Sequence, residues 1–204
     1  MLRPQLWVFA GPNGAGKSTL VRTYWVAARI PVVNPDDIAR SIKPDHRGEG
    51  EIMLKAGKEA ARLRREHLTS GRSFAIETTL SGHSELRVME DAHAAGFKVN
   101  LIFLGVAGPE TSLARVRGRV RDGGHDVPAT DIRRRYDRTM ANLGIALNLA
   151  DRSIVLDNQG KRRPRLLLII DEGRTRQVAG ILPSWARLAL GSILGLGSGD
   201  DNPT

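Results

Sequence analysis

The sequence predicts an α/β fold, a mostly parallel sheet of five to six strands with helices on both faces. Three observations predict it. Short apolar runs alternate with stretches of helical periodicity along the chain. Several of those runs are continuous rather than alternating, as strands covered on both faces require. Apolar residues make up 41 % of the 204 residues and charged residues 26 %, enough to bury the core of one domain.

The elements follow in order. Residues 6–10 read as a buried strand, leading into a loop over 11–16. A helix over 17–28 and a short second strand over 31–33 come next. From Glu51 onward, Met53, Ala56, Ala60 and Leu63 recur every three or four residues and mark one face of a long helix that Gly71 ends. Residues 73–76 form a third apolar run with Glu77 at its C-terminal end. Ser84 is expected to cap a helix running to Ala95, and Gly96 to stop it. Residues 98–104 are the most strand-like segment of the chain. Pro109 opens a helix carrying Arg115, Arg117, Arg119 and Arg121 before Gly123-Gly124 interrupts it. Pro128 opens another, through Arg133, Arg134, Arg135 and Tyr136 to about residue 149. Residues 152–156 and 166–170 are late strands around a polar connector, and 181–190 suit a terminal helix. The domain therefore spans 1–190, with an arginine-rich helical lid over about 109–150 and a flexible tail over 191–204.

Composition removes several function classes. There is no cysteine, hence no disulfide, thiolate metal site or cysteine nucleophile. No apolar run exceeds five residues, where a membrane span needs about twenty, so no membrane association is expected. The short apolar block near the N-terminus runs straight into a glycine loop, which predicts no secretory signal and a cytoplasmic protein. Lys plus Arg number 31 against 22 Asp plus Glu, a net charge of +9. Such a balance suits nucleic acid, but aromatic residues are only 4 %, which leaves few stacking platforms. Nucleic acid is therefore not the expected partner. The eight arginines between Arg115 and Arg138 suit a multiply charged phosphate ligand.

Gly11-Pro12-Asn13-Gly14-Ala15-Gly16-Lys17-Ser18 fits glycine, four residues, glycine, lysine and then serine or threonine, the phosphate loop of P-loop NTPases. Its glycines let the backbone curl so that amide N–H groups converge on phosphate oxygens, and the following helix adds its positive end. Lys17 is expected at the β- and γ-phosphates and the Ser18 hydroxyl on Mg²⁺. The motif predicts ATP with Mg²⁺ and does not name what receives the phosphate.

The acceptor groups of an open α/β sheet gather at the C-terminal ends of its strands. Three segments fall there. Asp36, after the second strand, suits a base for an acceptor hydroxyl, whereas Asp37 reads as a helix N-cap. Glu77, two residues before Thr79, suits a polyol or sugar, or else a water on magnesium. The arginine helices, hinged at Gly123-Gly124-His125-Asp126-Val127-Pro128, suit a segment that closes over phosphates. Arg119 and one of Arg134 or Arg135 are candidates to clamp the transferring oxygens; spacing does not say which arginines point inward. His125 reads as a hinge residue and His83 as a loop residue.

Taken together, Gly11-Pro12-Asn13-Gly14-Ala15-Gly16-Lys17-Ser18-Thr19, Asn34-Pro35-Asp36-Asp37, Glu77-Thr78-Thr79-Leu80-Ser81-Gly82, and the hinge with Ile132-Arg133-Arg134-Arg135-Tyr136 resemble the zeta toxin family over about residues 6–158. The resemblance implies a phosphotransferase on an adenylate-kinase-like core, whose toxin members phosphorylate the 3′-hydroxyl of the sugar in UDP-N-acetylglucosamine. It places Asp36 on the family's catalytic aspartate and Lys17 on its Walker lysine. Gly11 to Thr19 fall on its ATP-binding loop, and Glu77 and Thr79 on its substrate-binding pair. Arg119 and Arg134 are matched to its phosphate-binding arginines. The lid here is a compact glycine–histidine form, shorter than in the toxins paired with a small helical antitoxin; an antitoxin is a candidate partner by the same resemblance. The expected function is transfer of the γ-phosphate of ATP to a small-molecule hydroxyl, with UDP-N-acetylglucosamine as the implied acceptor. Two alternatives are a P-loop kinase of another sugar, antibiotic or polynucleotide hydroxyl, and a non-catalytic basic nucleic-acid-binding NTPase.

Overall fold

Leu6, Val8, Phe9, Phe74, Ala75 and Ile76 are wholly buried, which only strands with helices on both faces achieve. The computed structural model describes residues 3–23, 30–42, 48–122, 126–160 and 163–195. Among them lie seven strands and seven helices. The first half comprises β1 (Gln5–Ala10), α1 (Lys17–Thr23), β2 (Val32–Val33), α2 (Pro35–Ser41), α3 (Glu49–Thr69), β3 (Phe74–Thr78) and α4 (His83–Ala94). The second comprises β4 (Lys98–Gly105), α5 (Pro109–Arg121), α6 (Ala129–Leu149), β5 (Arg152–Asp157), β6 (Arg165–Asp171), β7 (Arg174–Val178) and α7 (Ser184–Leu194).

One sheet runs in the order β2-β3-β1-β4-β5-β6-β7. Its first five strands are parallel and its last two antiparallel. β1 is central, so the loop after it emerges where β3 and β4 also end. One face of the sheet packs Phe74, Phe97 and Phe103 against Ala60 of α3, Met89 of α4, Leu143 of α6 and Trp185 of α7. The other packs Phe9 and Leu104 against Leu20 and Val21 of α1.

Several boundaries move from expectation for identifiable reasons. The sheet has one strand beyond the expected range, because β7 is Arg-Thr-Arg-Gln-Val, every residue of it exposed, and carries no apolar signal. It exists because Glu172 and Gly173 turn with positive φ and fold the chain back along β6. Asp37 is not the N-cap of α2. Asn34 is, its Oδ1 accepting from the Asp36 N–H at 3.0 Å, while Asp37 pairs with Arg40. Ser84 likewise lies inside α4, which starts after Gly82. The terminal helix runs to Leu194 and stops at Gly195 in the left-handed region, so residues 191–194 are helix rather than tail. Residues 24–28 of the expected first helix, the Gly123-Gly124-His125 hinge and residues 196–204 lie outside the described residues. Among the described residues no helix is long and apolar enough to cross a membrane.

Candidate active site

The loop between β1 and α1 must leave the sheet sharply, and Gly11 permits it. Its φ is +143°, and a Cβ there would lie 2.1 Å from the carbonyl oxygen of Leu104. No other residue fits that corner.

Lys17, the first residue of α1, folds back over the loop. Only 8 % of it is exposed, and its Nζ donates to the carbonyls of Gly11 at 2.8 Å and Pro12 at 3.0 Å. Burial pushes its ammonium from the ordinary 10.5 down to about 8; the negative charges of Glu77 and Asp36 pull it back up, and Arg119 adds to the depression. Two acids and one arginine singled out by spacing therefore act on one buried cation.

Ser18 and Glu77 meet directly. The Ser18 hydroxyl donates to Glu77 Oε1 at 2.7 Å, and Asn34 Nδ2 donates to Glu77 Oε2 at 3.0 Å. Asn34 is 5 % exposed and uses both ends of its amide, one on Glu77 and one on the start of the helix bearing Asp36. The two acids are thus registered to one side chain. Asp36 itself is exposed on the first turn of α2.

Thr79 lies just beyond the end of β3. Its Oγ1 lies 2.9 Å from Ser81 Oγ, across a turn in which Leu80 takes φ 59°. A left-handed leucine is strained and persists only when its surroundings hold it. Here they do so heavily. The Thr78 hydroxyl accepts from the Leu80 N–H at 2.9 Å, Thr139 Oγ1 donates to the Thr79 carbonyl at 2.6 Å, and Asn142 Nδ2 donates to the Leu80 carbonyl at 2.9 Å. Thr139 and Asn142 lie on the buried face of α6, where Tyr136 also donates its hydroxyl to the Val106 carbonyl at 2.9 Å. Burial raises that phenol to about 12.

The structure does not bring Arg134 to the loop. Its guanidinium donates to Asp131 Oδ1 at 2.8 Å on the exposed side of α6, and the side chain is 57 % exposed. The reason is local: Asp131 stands one turn earlier on the same helix and captures it. Arg135 approaches the same carboxylate at 3.9 Å, and Arg133 donates to Glu110 of α5 at 2.9 Å. His83 is the exposed first residue of α4.

Spacing missed three side chains that hold this arrangement. Asn34 had a usable signal, a capping residue immediately before proline and two aspartates. Thr139 and Asn142 had a weaker one, polar residues on the apolar stripe of a long helix, which marks them as buried without saying what they bind.

The fold is shared with solved structures. A chain of AvrRxo1-ORF1:-ORF2, crystallised with ATP, is similar with a TM-score of 0.71 at 17 % identity, over 86 % of this chain and 60 % of that one. The PezAT chromosomal toxin-antitoxin system of Streptococcus pneumoniae is similar with a TM-score of 0.62 at 15 % identity, over 96 % of this chain and 87 % of that one. At these identities the likeness is one of fold, a kinase-like P-loop domain. In sequence, an uncharacterized protein of Haemophilus influenzae is 36 % identical over 143 residues, 67 % of this chain and all of its own length. This chain thus spans the whole of that relative but only three fifths of the matched AvrRxo1 chain. Residues 6–140, from β1 through the phosphate loop and the acceptor strands into α6, match the family described as AAA domain, and the chain belongs to that family.

Proposed function

We propose that the protein is an ATP- and Mg²⁺-dependent phosphotransferase that moves the γ-phosphate of ATP to a hydroxyl of a small molecule, in the manner of the zeta toxins. The observation that carries it is a phosphate loop whose Lys17 ammonium is folded onto the Gly11 and Pro12 carbonyls beside the Ser18–Glu77 pair, with Glu77, Asp36 and Arg119 acting on that ammonium through their charges. A buried cation that has lost its hydration gains most from a polyanion, which offsets the desolvation that lowers its pKa. The solved AvrRxo1 relative with ATP supports the choice of nucleotide.

The residues fit Mg²⁺. Ser18 Oγ, at the start of α1, and Glu77 Oε1, near the end of β3, are hard oxygen donors 2.7 Å apart. Mg²⁺ takes one or two such protein oxygens beside phosphate and water. When bound, the ion neutralises charge on the β- and γ-phosphates. Glu77 then serves the metal side of the site, and the Thr79–Ser81 hydroxyl pair faces the acceptor.

In the transfer, the acceptor oxygen bonds to the γ-phosphorus as the bond from that phosphorus to the β–γ bridging oxygen breaks, and ADP leaves. The Asp36 carboxylate takes the hydroxyl proton. Lys17 follows the γ-phosphate, and Arg119, in the last turn of α5, meets the charge that develops on it. Arg134, held by Asp131, contributes only if it leaves that partner, whereas the charge of Arg119 already acts at the Lys17 ammonium, and we assign it the larger role. Closure of α5 and α6 as a lid, a cytoplasmic location where ATP is available, and a protein partner belong to the same proposal. One similar structure is of AvrRxo1-ORF1 with ORF2 and the other of a toxin-antitoxin system, which favours the partner.

The test is a transfer screen with γ-labelled ATP against UDP-N-acetylglucosamine, free sugars, aminoglycoside-type antibiotics and 5′-hydroxyl oligonucleotides. Label is expected on a small-molecule hydroxyl. In Asp36→Asn, transfer is expected to fall by about 10²–10⁴-fold while ATP still binds. Near-normal turnover in that variant removes the base role.

A further inference from the structure

Carbonyl oxygens of the phosphate loop are held by side chains from three elements. Lys17 takes Gly11 and Pro12. Arg115 of α5 donates from Nη1 to Gly14 at 3.3 Å. Asn158, the first residue after β5, donates from Nδ2 to Ala15 at 2.7 Å. This last contact comes from a part of the chain beyond the family match, 143 residues away from the loop it touches.

Asn158 is a fixed post. Its N–H donates to the Gly105 carbonyl at 2.9 Å, which continues the pairing of β4 with β5. Its carbonyl accepts from Arg115 Nη2 at 2.6 Å. The preceding Asp157 accepts from Trp185 Nε1 at 3.1 Å, with Arg165 at 3.8 Å. Trp185 is itself seated against Gly105, where a Cβ would lie 2.1 Å from the ring. The loop also approaches closely from its own side, since a Cβ on Gly16 would stand 2.8 Å from Asn158 Nδ2.

In a planar trans peptide the C=O of one residue and the N–H of the next point in opposite directions. By holding the Ala15 carbonyl, Asn158 therefore turns the Gly16 N–H to the far side of the peptide plane. Amides so turned are the groups with which a curled glycine loop reads phosphate. We propose that Asn158 is a positioning residue for the phosphate site, orienting the Ala15–Gly16 peptide before the ligand arrives, with Arg115, Gly105 and Trp185 as its supports. The role rests on the triphosphate binding proposed above. Asn158 touches neither acceptor nor metal; it acts through the peptide. Without it that peptide is free to rotate, and the ligand must order it at the expense of affinity.

The experiment is isothermal titration calorimetry with Mg-ATP and, separately, Mg-tripolyphosphate on the wild type, Asn158→Ala and Asn158→Thr, each checked by circular dichroism. The threonine variant keeps a polar side chain too short to reach Ala15 and carries the test if the alanine variant does not fold. Both ligands are expected to weaken by the same factor, about tenfold, the loss of one oriented contact. If the wild type binds and the variants bind equally well, the proposal is overturned. It is also overturned if ATP weakens while tripolyphosphate does not, because Asn158 then serves the nucleoside. A wild type that binds neither ligand overturns the triphosphate assignment instead, a separable failure.

Discussion

Lys17 bears the main electrostatic cost of the site. Its ammonium titrates near 8 in the folded protein and near 10.5 when solvated, so between those values the unfolded chain binds more protons. Stability of the ligand-free protein is therefore expected to rise with pH across that window. Below pH 8 the whole penalty is present, about 3 kcal/mol by the size of the shift. Chemical denaturation at pH 7.5 and 9.5 measures it, and Lys17→Met is expected to flatten the slope. Nucleotide affinity moves the other way: phosphate needs the charged form, so Mg-ATP binding is expected to weaken as pH climbs past 8. An affinity that does not change between pH 7 and 9.5 would show that this lysine does not titrate there. Arg119 belongs to the same scale. Arg119→Ala is expected to lower kcat at the lower end of the about 10³–10⁵-fold that an arginine supplies to phosphoryl transfer elsewhere. ATP affinity should change far less, and Arg134→Ala should cost much less than either, as single-turnover kinetics on both variants would reveal.

At the scale of elements, α6 ties the acceptor loop to the core. Its Thr139 and Asn142 satisfy two carbonyls of a strained turn, and removing either donor leaves a buried acceptor unpaired. Asn142→Ala is expected to cost about 1–3 kcal/mol in denaturant and to reduce transfer while leaving the Kd for Mg-ATP unchanged. Equal loss of ATP affinity would place the effect elsewhere. The long elements were legible beforehand. Apolar spacing locates α3 and β4 within a residue or two, because their buried faces repeat at a fixed period. β7 was not read as an element, and α2 was read only as a helix start, with its cap at Asp37 rather than Asn34. The first is polar on both faces, and the second is seven residues with none buried. Arg134 illustrates the limit from the other side. Its helix was legible, but whether its guanidinium turns to the loop or to Asp131 depends on a rotamer that periodicity does not encode.

At the scale of the whole molecule, several arginines among the described residues are paired with acids. Arg62 pairs with Glu59 and Glu66, Arg133 with Glu110, Arg152 with Asp171 and Arg165 with Asp157. Arg3 donates to the Gly96 and Phe97 carbonyls and lies 3.8 Å from Asp151, and Arg115 donates to the carbonyls of Gly14 and Asn158. Arginines partnered in this way have less charge to offer a polynucleotide. Retention on a 20-nucleotide oligomer is expected to be weak and to vanish by about 0.2 M salt, the behaviour of non-specific charge. Mg-ATP binding should survive the same salt, since buried pairs are screened far less than exposed ones. By itself the amino-acid order determined the fold class, the phosphate loop and the chemical types gathered beside it, since these are local: a run of glycines before a lysine, a strand before a loop, an acid after a strand. Only the tertiary structure decided that Glu77 meets Ser18 rather than Thr79, that Asn34 registers both acids, and that a residue after β5 reaches back to hold Ala15. Those are contacts across tens of positions, set by which strands lie side by side and which rotamers the packed neighbours allow, and no periodicity in the chain carries that information.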